Sequence, residues 1–461
     1  MSYRSFVDTL ARWPENVSIS MVFAASALVA AAMVGVVLPL VGLGQMRLVA
    51  AGVVAIIGAG MLLVRPGIAT ALFLCAGLFK ADPTISAVVP FDLTFALAGL
   101  LVLACAIKLL RSGHLPALPQ AYVLYLPLLL MTLASLLYTP DLGDGASKAV
   151  KFILLTGLGV VCPFFLFDSA RQVRVFLYTM AVLGLILSSQ SLSGLGGENR
   201  LTMPGRLTIQ LGTAAGTTIA VALATALPGL PFRRRILLYP VVGLAFVALL
   251  GSGARGPMIG AVLCVLFALV YFRQLWLDAA LLGAAGILGL AQIGIPMASF
   301  NYLGTLLSDD PSSAMATRTG LLELAWHLFR EHPLLGVGIG GFAYYSRDPE
   351  NTFPHNIFLE IGAELGFIAL IAFTALVVWV FWEAYKQLRE RDFPFRLEAA
   401  GVFSLLIFGF IQMIKSGDVN DNRTMWLLMG LPFLLRFLAN REILRKQENV
   451  AVATPVTSEA A

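Results

Sequence analysis

Long tracts of this chain carry almost no polar residues, and that constrains the fold more than any motif. Apolar runs extend near 19–42, 46–64, 66–81, 91–111, 120–138, 149–167, 173–193, 209–229, 234–251, 256–272, 275–295, 355–384, 396–416 and 423–439. A helix needs about 20 apolar residues to cross the hydrocarbon of a bilayer, and inside it every backbone N–H and C=O must find a partner within the segment. The 66–81 run is short, and the first three runs lie close enough together to include one long helix or a re-entrant pair. The expectation is therefore about twelve transmembrane helices, within a range of twelve to fourteen. Composition agrees: 59% of the chain is hydrophobic and 12% charged, where a soluble domain is about half apolar and a quarter charged. The predicted fold is an all-α integral membrane protein, a polytopic bundle.

Orientation follows from the basic residues, which favour the cytoplasmic side. Alternating the loops divides the 31 basic residues into 19 and 12. The richer side holds Arg4, Arg12, Arg65, Lys108, Arg111, Arg171, Arg174, Arg233 to Arg235, Arg273, the Lys386–Arg396 loop and the Arg441–Lys446 tail, and is read as cytoplasmic. The domain order is then a cytoplasmic lead over 1–18, helices over 19–295, one long outer loop over 296–354, helices over 355–440, and a small, polar, disordered cytoplasmic tail over 441–461. An even number of crossings leaves both termini in the cytoplasm.

The net charge of +5 does not point to nucleic acid, because most basic residues flank apolar spans and no nucleic-acid motif occurs. Cys75, Cys105, Cys162 and Cys264 each lie inside an apolar run with no C-x-x-C pair, which fits packing rather than disulfides or metal. His327 and His332 have no companions at ligand spacing, and Asp309-Asp310 is an isolated acidic pair, so no metal site is expected. Span interiors are nearly free of ionisable groups except Asp278, Glu360 and Glu364. A transporter would place such groups near the midplane, and no internal repeat of the kind common in transporters is evident.

Three outer segments carry residues that could do chemistry. Phe353-Pro354-His355-Asn356 runs into an apolar helix, which places His355 near the helix start at the membrane boundary. At about 100° per residue, Gly362 and Gly366 fall within about 20° of the His355 direction, and Glu360 and Glu364 about 140° and 180° away. A glycine face leaves room for another helix or a lipid chain, and the two glutamates are expected to hold the helix in the bundle. His355 is either an interfacial residue with a structural hydrogen bond or a proton acceptor near neutral pH.

The second segment, Ser252-Gly253-Ala254-Arg255-Gly256-Pro257, sets an arginine between glycines at the end of two spans. Its guanidinium either snorkels to the interface or grips phosphate oxygens with its planar fork. The third, Gly196-Gly197-Glu198-Asn199-Arg200 through Gly205-Arg206, carries two arginines in a short loop; one can pair with Glu198 and leave the other for a ligand. Within the long loop, 315–330 reads as a helix with apolar Leu321, Leu322, Leu324, Ala325 and Leu328 facing the membrane or the bundle. The glycine run at 336–341 lacks the G-K-[ST] ending of a phosphate loop; it would permit loop movement. Lys415-Ser416-Gly417-Asp418 is either a helix cap or a further charge at the same pocket.

The segment Pro354-His355-Asn356-x-x-Leu359-Glu360, with Gly366 further along, resembles the signature of the O-antigen ligase and polymerase superfamily of bacterial inner-membrane glycosyltransferases. Arg318 with Trp326, and Pro333-x-x-Gly336-x-Gly338-x-Gly340-x-Phe342, are similar to that family's long periplasmic loop. Ser252-Gly253-Ala254-Arg255-Gly256 is similar to its arginine-bearing turn. The resemblance spans roughly 190–440; Ala369 departs from the ligase-type ending of the pattern, which leaves the subclass open. The resemblance implies a GT-C-like architecture and transfer of a glycan from undecaprenyl pyrophosphate to an acceptor hydroxyl, with inversion. His355 would be the base, and Arg206, Arg255, Arg200 and Arg318 would bind the pyrophosphate. The implied reaction needs no cofactor and no metal; its partners are the lipid-linked donor, lipid A-core as acceptor and membrane lipids. O-unit polymerisation and transfer to protein are the alternatives within the family, and a membrane transporter or flippase the one outside it. One long and one short outer loop, with a short tail after the last span, favour the ligase.

Overall fold

The computed structural model describes residues 58–60, 62–80, 92–195, 199–202, 208–290, 313–348, 351–415 and 418–453. The expected spans at 19–42 and most of 46–64 lie outside these residues, as do Glu198, Arg206, Asp309 and Asp310. Every regular element among the described residues is helical. They are α1 (Pro66–Lys80), α2 (Leu93–Ser112), α3 (Tyr125–Ser135), α4 (Leu142–Leu166), α5 (Ala170–Ser193), α6 (Thr208–Ala226), α7 (Phe232–Ser252), α8 (Arg255–Tyr271), α9 (Trp276–Leu290), α10 (Ser313–Glu331), α11 (Gly341–Ser346), α12 (Ile357–Arg389), α13 (Arg396–Lys415) and α14 (Arg423–Ala453). Seven of these described helices are long and apolar enough to cross a membrane, and up to nine spans result when two sharply bent pairs are counted as one each. This is a polytopic membrane protein.

Local sequence explains the helix ends. Asp92 caps α2 by accepting from the Thr94 N–H at 2.9 Å, and Gly113 closes it in the left-handed conformation. Asp141 caps α4 through the Gly143 and Asp144 N–H groups at 2.8 and 3.1 Å. The runs at 256–272 and 275–295, which read as separate crossings, meet at a bend of 115° between α8 and α9, where Phe272 leaves helical geometry. They form a broken span or a re-entrant loop.

The most enclosed span is α6, with 72% of its apolar window buried, against 22% for the peripheral α2. Its small residues allow that: Gly216 faces the ring of Phe408 on α13, and Gly184 of α5 lies against the Ala214 carbonyl. An aromatic cluster joins α3, α4, α12 and α14, with Trp426 5.6 Å from Tyr125, 5.5 Å from Phe152 and 5.2 Å from Phe373. All four cysteines are free; Cys75, Cys162 and Cys264 are buried and Cys105 partly so.

Charged side chains gather at the two ends of the bundle. At one end Arg174 bonds Glu398 at 2.8 Å, Arg235 bonds Asp278 at 3.0 Å, Arg436 bonds Glu383 and Glu390 at 2.9 and 2.6 Å, and Lys108 pairs with Asp168. Asp278, one of the three ionisable exceptions in the sequence, is thus a structural partner of Arg235. A cleft of about 310 Å³ also opens at this end, with Lys108, His114 and Arg441 around Phe164, Phe165 and Phe437. The opposite end carries His355, Arg200, Arg255, Arg318 and Lys415.

Candidate active site

The helix entered at His355 is broken. Gly366, inside α12, has φ 79° and ψ −172°, which splits α12 into an outer half, 357–365, and an inner half, 367–389. Such a break orphans the carbonyls of the outer half's last turn, and buried orphans are costly. The segment after α10 supplies their partners. The Val337 N–H donates to the Ala363 carbonyl at 2.8 Å and the Gly338 N–H to the Glu364 carbonyl at 2.9 Å; in return Phe367 donates to the Pro333 carbonyl at 2.7 Å. A side chain at Gly366 would overlap the backbone of Leu334, so only glycine meets both the positive φ and the close approach.

The glycines at 336–340 serve the same packing. Gly336 lies against the backbone of Ala363 and Glu364, Gly338 against Thr139, and Gly340 against the backbone of Gly145. Tyr138 and Thr139 donate to the Leu335 and Ile339 carbonyls at 2.6 and 2.8 Å, and the Ile339 N–H donates to Ser135 Oγ at 3.1 Å. The glycine run expected to permit loop movement packs here against Tyr138, Thr139, α4 and α12. The expected helix over 315–330 is present as α10; Leu321, Ala325 and Leu328 are buried and pack it on α12.

His355 precedes the helix rather than joining it. Asn356 is the N-cap, accepting from the Phe358 and Leu359 N–H groups at 3.0 and 3.2 Å, and His355 itself sits at φ 57°. The shared face inferred with Gly362 and Gly366 therefore does not form: angular bookkeeping holds only within one helix, and His355 and Gly366 both lie outside helical geometry. The space beside Gly362 is filled by Phe329 of α10 rather than by a lipid chain. The His355 ring lies 4.5 Å from that of Phe353, and its Nδ1 is buried with no hydrogen-bond partner. Burial, and after it the charge of Arg318, hold the imidazole below the ordinary value of 6.5. The fold thus brings Arg318 and His355 together and keeps the ring neutral, as a proton acceptor requires.

The arginine-bearing turn lies at the same end of the bundle. Gly253 closes α7 with φ 59° and Arg255 opens α8. Arg200 donates through Nε to the Ser252 carbonyl and through Nη2 to Thr208 Oγ1, both at 2.9 Å, and the Leu201 N–H donates to the Gly251 carbonyl at 2.8 Å. Two of the segments singled out in the sequence are therefore one unit, with Arg200 tying the 199–202 stretch to the turn. Lys415 comes close too: a Cβ on Gly256 would stand 3.5 Å from that of Lys415. The Phe358 and Phe410 rings, 6.2 Å apart, join α12 to α13. Each of these helices then continues outward, to His355 on one and Lys415 on the other.

A third charged group is not evident from sequence spacing. Lys148, in α4, contacts Glu360 at 2.6 Å and both oxygens of Glu364 at 2.8 Å, and the Phe342 N–H donates to Glu364 at 3.3 Å. Both glutamates are 1% exposed. The expectation that they hold the helix in the bundle is met, and Lys148 is the residue that holds them. The i,i+4 glutamates in an apolar run were visible; their lysine, 212 positions from Glu360, was not. Among the described residues no three His, Cys, Asp or Glu side chains form a group that could hold a metal ion.

Fold and site together define a polytopic helical membrane protein with a histidine and arginines at one end of its bundle. Residues 240–374 match the O-antigen ligase family, a stretch running from α7 past Gly366 that includes Arg255, Arg318 and His355. The teichuronic acid biosynthesis protein TuaE of Bacillus subtilis (strain 168) is 26% identical over 121 residues, 25% of this chain. The chain matches about a quarter of that relative's length. The similarity to the O-antigen ligase family is thus confined to the segment that holds Arg255, Arg318 and His355.

Proposed function

We propose that this protein is an O-antigen ligase, transferring a glycan from undecaprenyl pyrophosphate to a sugar hydroxyl of lipid A-core. The observation that carries the reading is His355: a buried, unpartnered imidazole nitrogen, kept neutral beside Arg318, within the segment that matches the family. In this reading His355 removes the acceptor's proton as its oxygen attacks the anomeric carbon and inverts it. Arg206, Arg255, Arg200 and Arg318 stabilise the departing lipid pyrophosphate, because charge develops on that leaving group. Arg200's two hydrogen bonds favour a positioning part for it and leave Arg206 and Arg255 the closer contacts. The stored energy of the pyrophosphate linkage drives transfer without metal or cofactor.

The architecture we propose is GT-C-like, of about twelve helices in the bacterial inner membrane. The 296–354 segment and the site face the periplasm, and the lead over 1–18 and the end beyond 440 face the cytoplasm. The split of basic residues supports that orientation. A second reading, polymerisation of lipid-linked units, is kept open by Ala369, which departs from the ligase-type ending of the pattern.

The test is reconstitution of the wild type, His355→Ala and Arg255→Ala with undecaprenyl-pyrophosphate glycan and lipid A-core. Transfer by the wild type and loss in both variants supports the ligase. A wild type that lengthens the lipid-linked glycan makes it a polymerase. Full activity in both variants removes this site from the reaction.

A further inference from the structure

Two buried side chains among the described residues have both polar atoms without a hydrogen-bond partner, Glu360 and Gln412. Glu360 faces the Lys148 ammonium at 2.6 Å. Gln412, only 9% exposed, has no such companion. Native interiors leave few such groups, and each needs an explanation. Its place supplies one. A Cβ on Gly256 would stand 3.6 Å from Gln412 Oε1, and one on Gly260 would stand 3.6 Å from Nε2. Two glycines one turn apart on α8 thus place no side chain over the amide, which lies shielded from solvent against that bare backbone and Phe408, with Arg255 and Lys415 towards the outer end. Gln412 lies three residues before Lys415 on α13, about 4.5 Å deeper along the helix.

We infer that Gln412 is a donor-binding residue that reads the phosphate nearest the lipid of a polyprenyl pyrophosphate. This rests on the transferase reading above. A lipid-linked donor must keep its chain in the bilayer, so its pyrophosphate enters lipid end deepest. Arg255 and Lys415 meet the outer charge, and the amide below them donates Nε2–H to an oxygen of the inner phosphate. A neutral donor suits that depth, since it adds a hydrogen bond without burying another ion.

The test is binding of farnesyl pyrophosphate to the full-length wild type, Gln412→Leu and Gln412→Glu, alongside the donor KM in glycan transfer. Losing a hydrogen bond to a charged group should weaken binding about tenfold in Gln412→Leu. Gln412→Glu, the same shape with a repelling charge, should weaken it further, and a melting temperature near the wild type's in either variant separates lost binding from lost folding. Farnesol should bind all three proteins alike. Wild-type binding in Gln412→Glu overturns the inference while an active, pyrophosphate-binding wild type leaves the transferase reading standing. A wild type that neither binds farnesyl pyrophosphate nor transfers glycan overturns both.

Discussion

The two halves of α12 are held by different balances of the same forces, the inner half making its directional side-chain contacts with other helices in its last turns, at Glu383 and Gln387. The inner half packs by rings: Phe373 against Trp426 at 5.2 Å, Phe381 against Phe403 and Phe410 at 6.1 and 5.6 Å, and Trp379 against Phe433 at 6.3 Å. Burial of such rings stabilises in proportion to area, with only a modest preference for edge or offset geometry. The outer half is fixed by directional contacts: the Asn356 cap, the Lys148 ion pairs, and two loop N–H groups on the Ala363 and Glu364 carbonyls. Hydrogen bonds weaken steeply with angle, so they set orientation where packing sets only proximity. The half that carries the candidate base is the half oriented mainly by such bonds. Gly366 separates the two regimes, and breaking it should cost most. Gly366→Val puts a branched side chain into the Leu334 backbone at a positive φ, and we expect no monodisperse protein after detergent extraction. A well-folded valine variant would mean the halves need no break between them.

Next in size is the base. Removing a general base costs about 10²–10⁴-fold in rate, and His355→Ala should lose that much transfer with its melting temperature unchanged within a few degrees. The sign of the pH dependence follows from the neutral form being the active one. With the imidazole held below 6.5 by burial and Arg318, the wild-type rate should stay flat as pH falls to that value and decline only below it. Arg318→Met removes the cation that disfavours protonation, so the declining limb should move up towards 6.5. A limb that stays in place would separate Arg318 from His355.

Lys148→Met contrasts with a packing loss in the inner half. It leaves two buried carboxylates without their ammonium, and breaking a buried pair costs about 3–5 kcal/mol. Phe373→Ala should cost a similar ~3–5 kcal/mol through its cavity. The two should differ in activity per folded molecule, falling for Lys148→Met and holding for Phe373→Ala, because only the first loosens the oriented half. Equal specific activities in both variants would end the distinction. Adding Glu364→Gln to Lys148→Met should recover part of the stability, since it removes one stranded charge.

How much of this was legible follows the range of each interaction. Apolar runs report on the bilayer residue by residue, so the spans at 149–167, 173–193 and 396–416 correspond to α4, α5 and α13. The amphipathic pattern over 315–330 likewise gave α10, and the arginine turn at Ser252–Pro257 was visible in its glycines. Lys148 was not legible, because an isolated lysine at a span end looks like any interfacial cation until the fold sets it beside Glu360 and Glu364. Gln412 was missed because an amide in an apolar run carries no charge signal; only its lack of partners distinguishes it. The face assigned to His355 failed at Pro354-His355-Asn356, where Asn356 takes the cap and leaves the histidine outside the helix.

That cap gives the smallest and most discriminating effect. Replacing an N-cap asparagine with alanine costs about 1 kcal/mol, because the Phe358 and Leu359 N–H groups lose their acceptor. Asn356→Ala should therefore change the melting temperature little. Asn356 also joins His355 to the helix, and its extended φ of −149° directs the preceding residue away from the helix. An alanine there has no side chain to hold that geometry, so turnover should fall by more than the stability loss explains, with donor affinity unchanged. Asn356→Ser restores an acceptor of the right reach and should recover both quantities together. If Asn356→Ala instead loses stability and turnover in the same proportion, the cap merely supports the helix, and His355 is placed by its burial and its contact with Phe353.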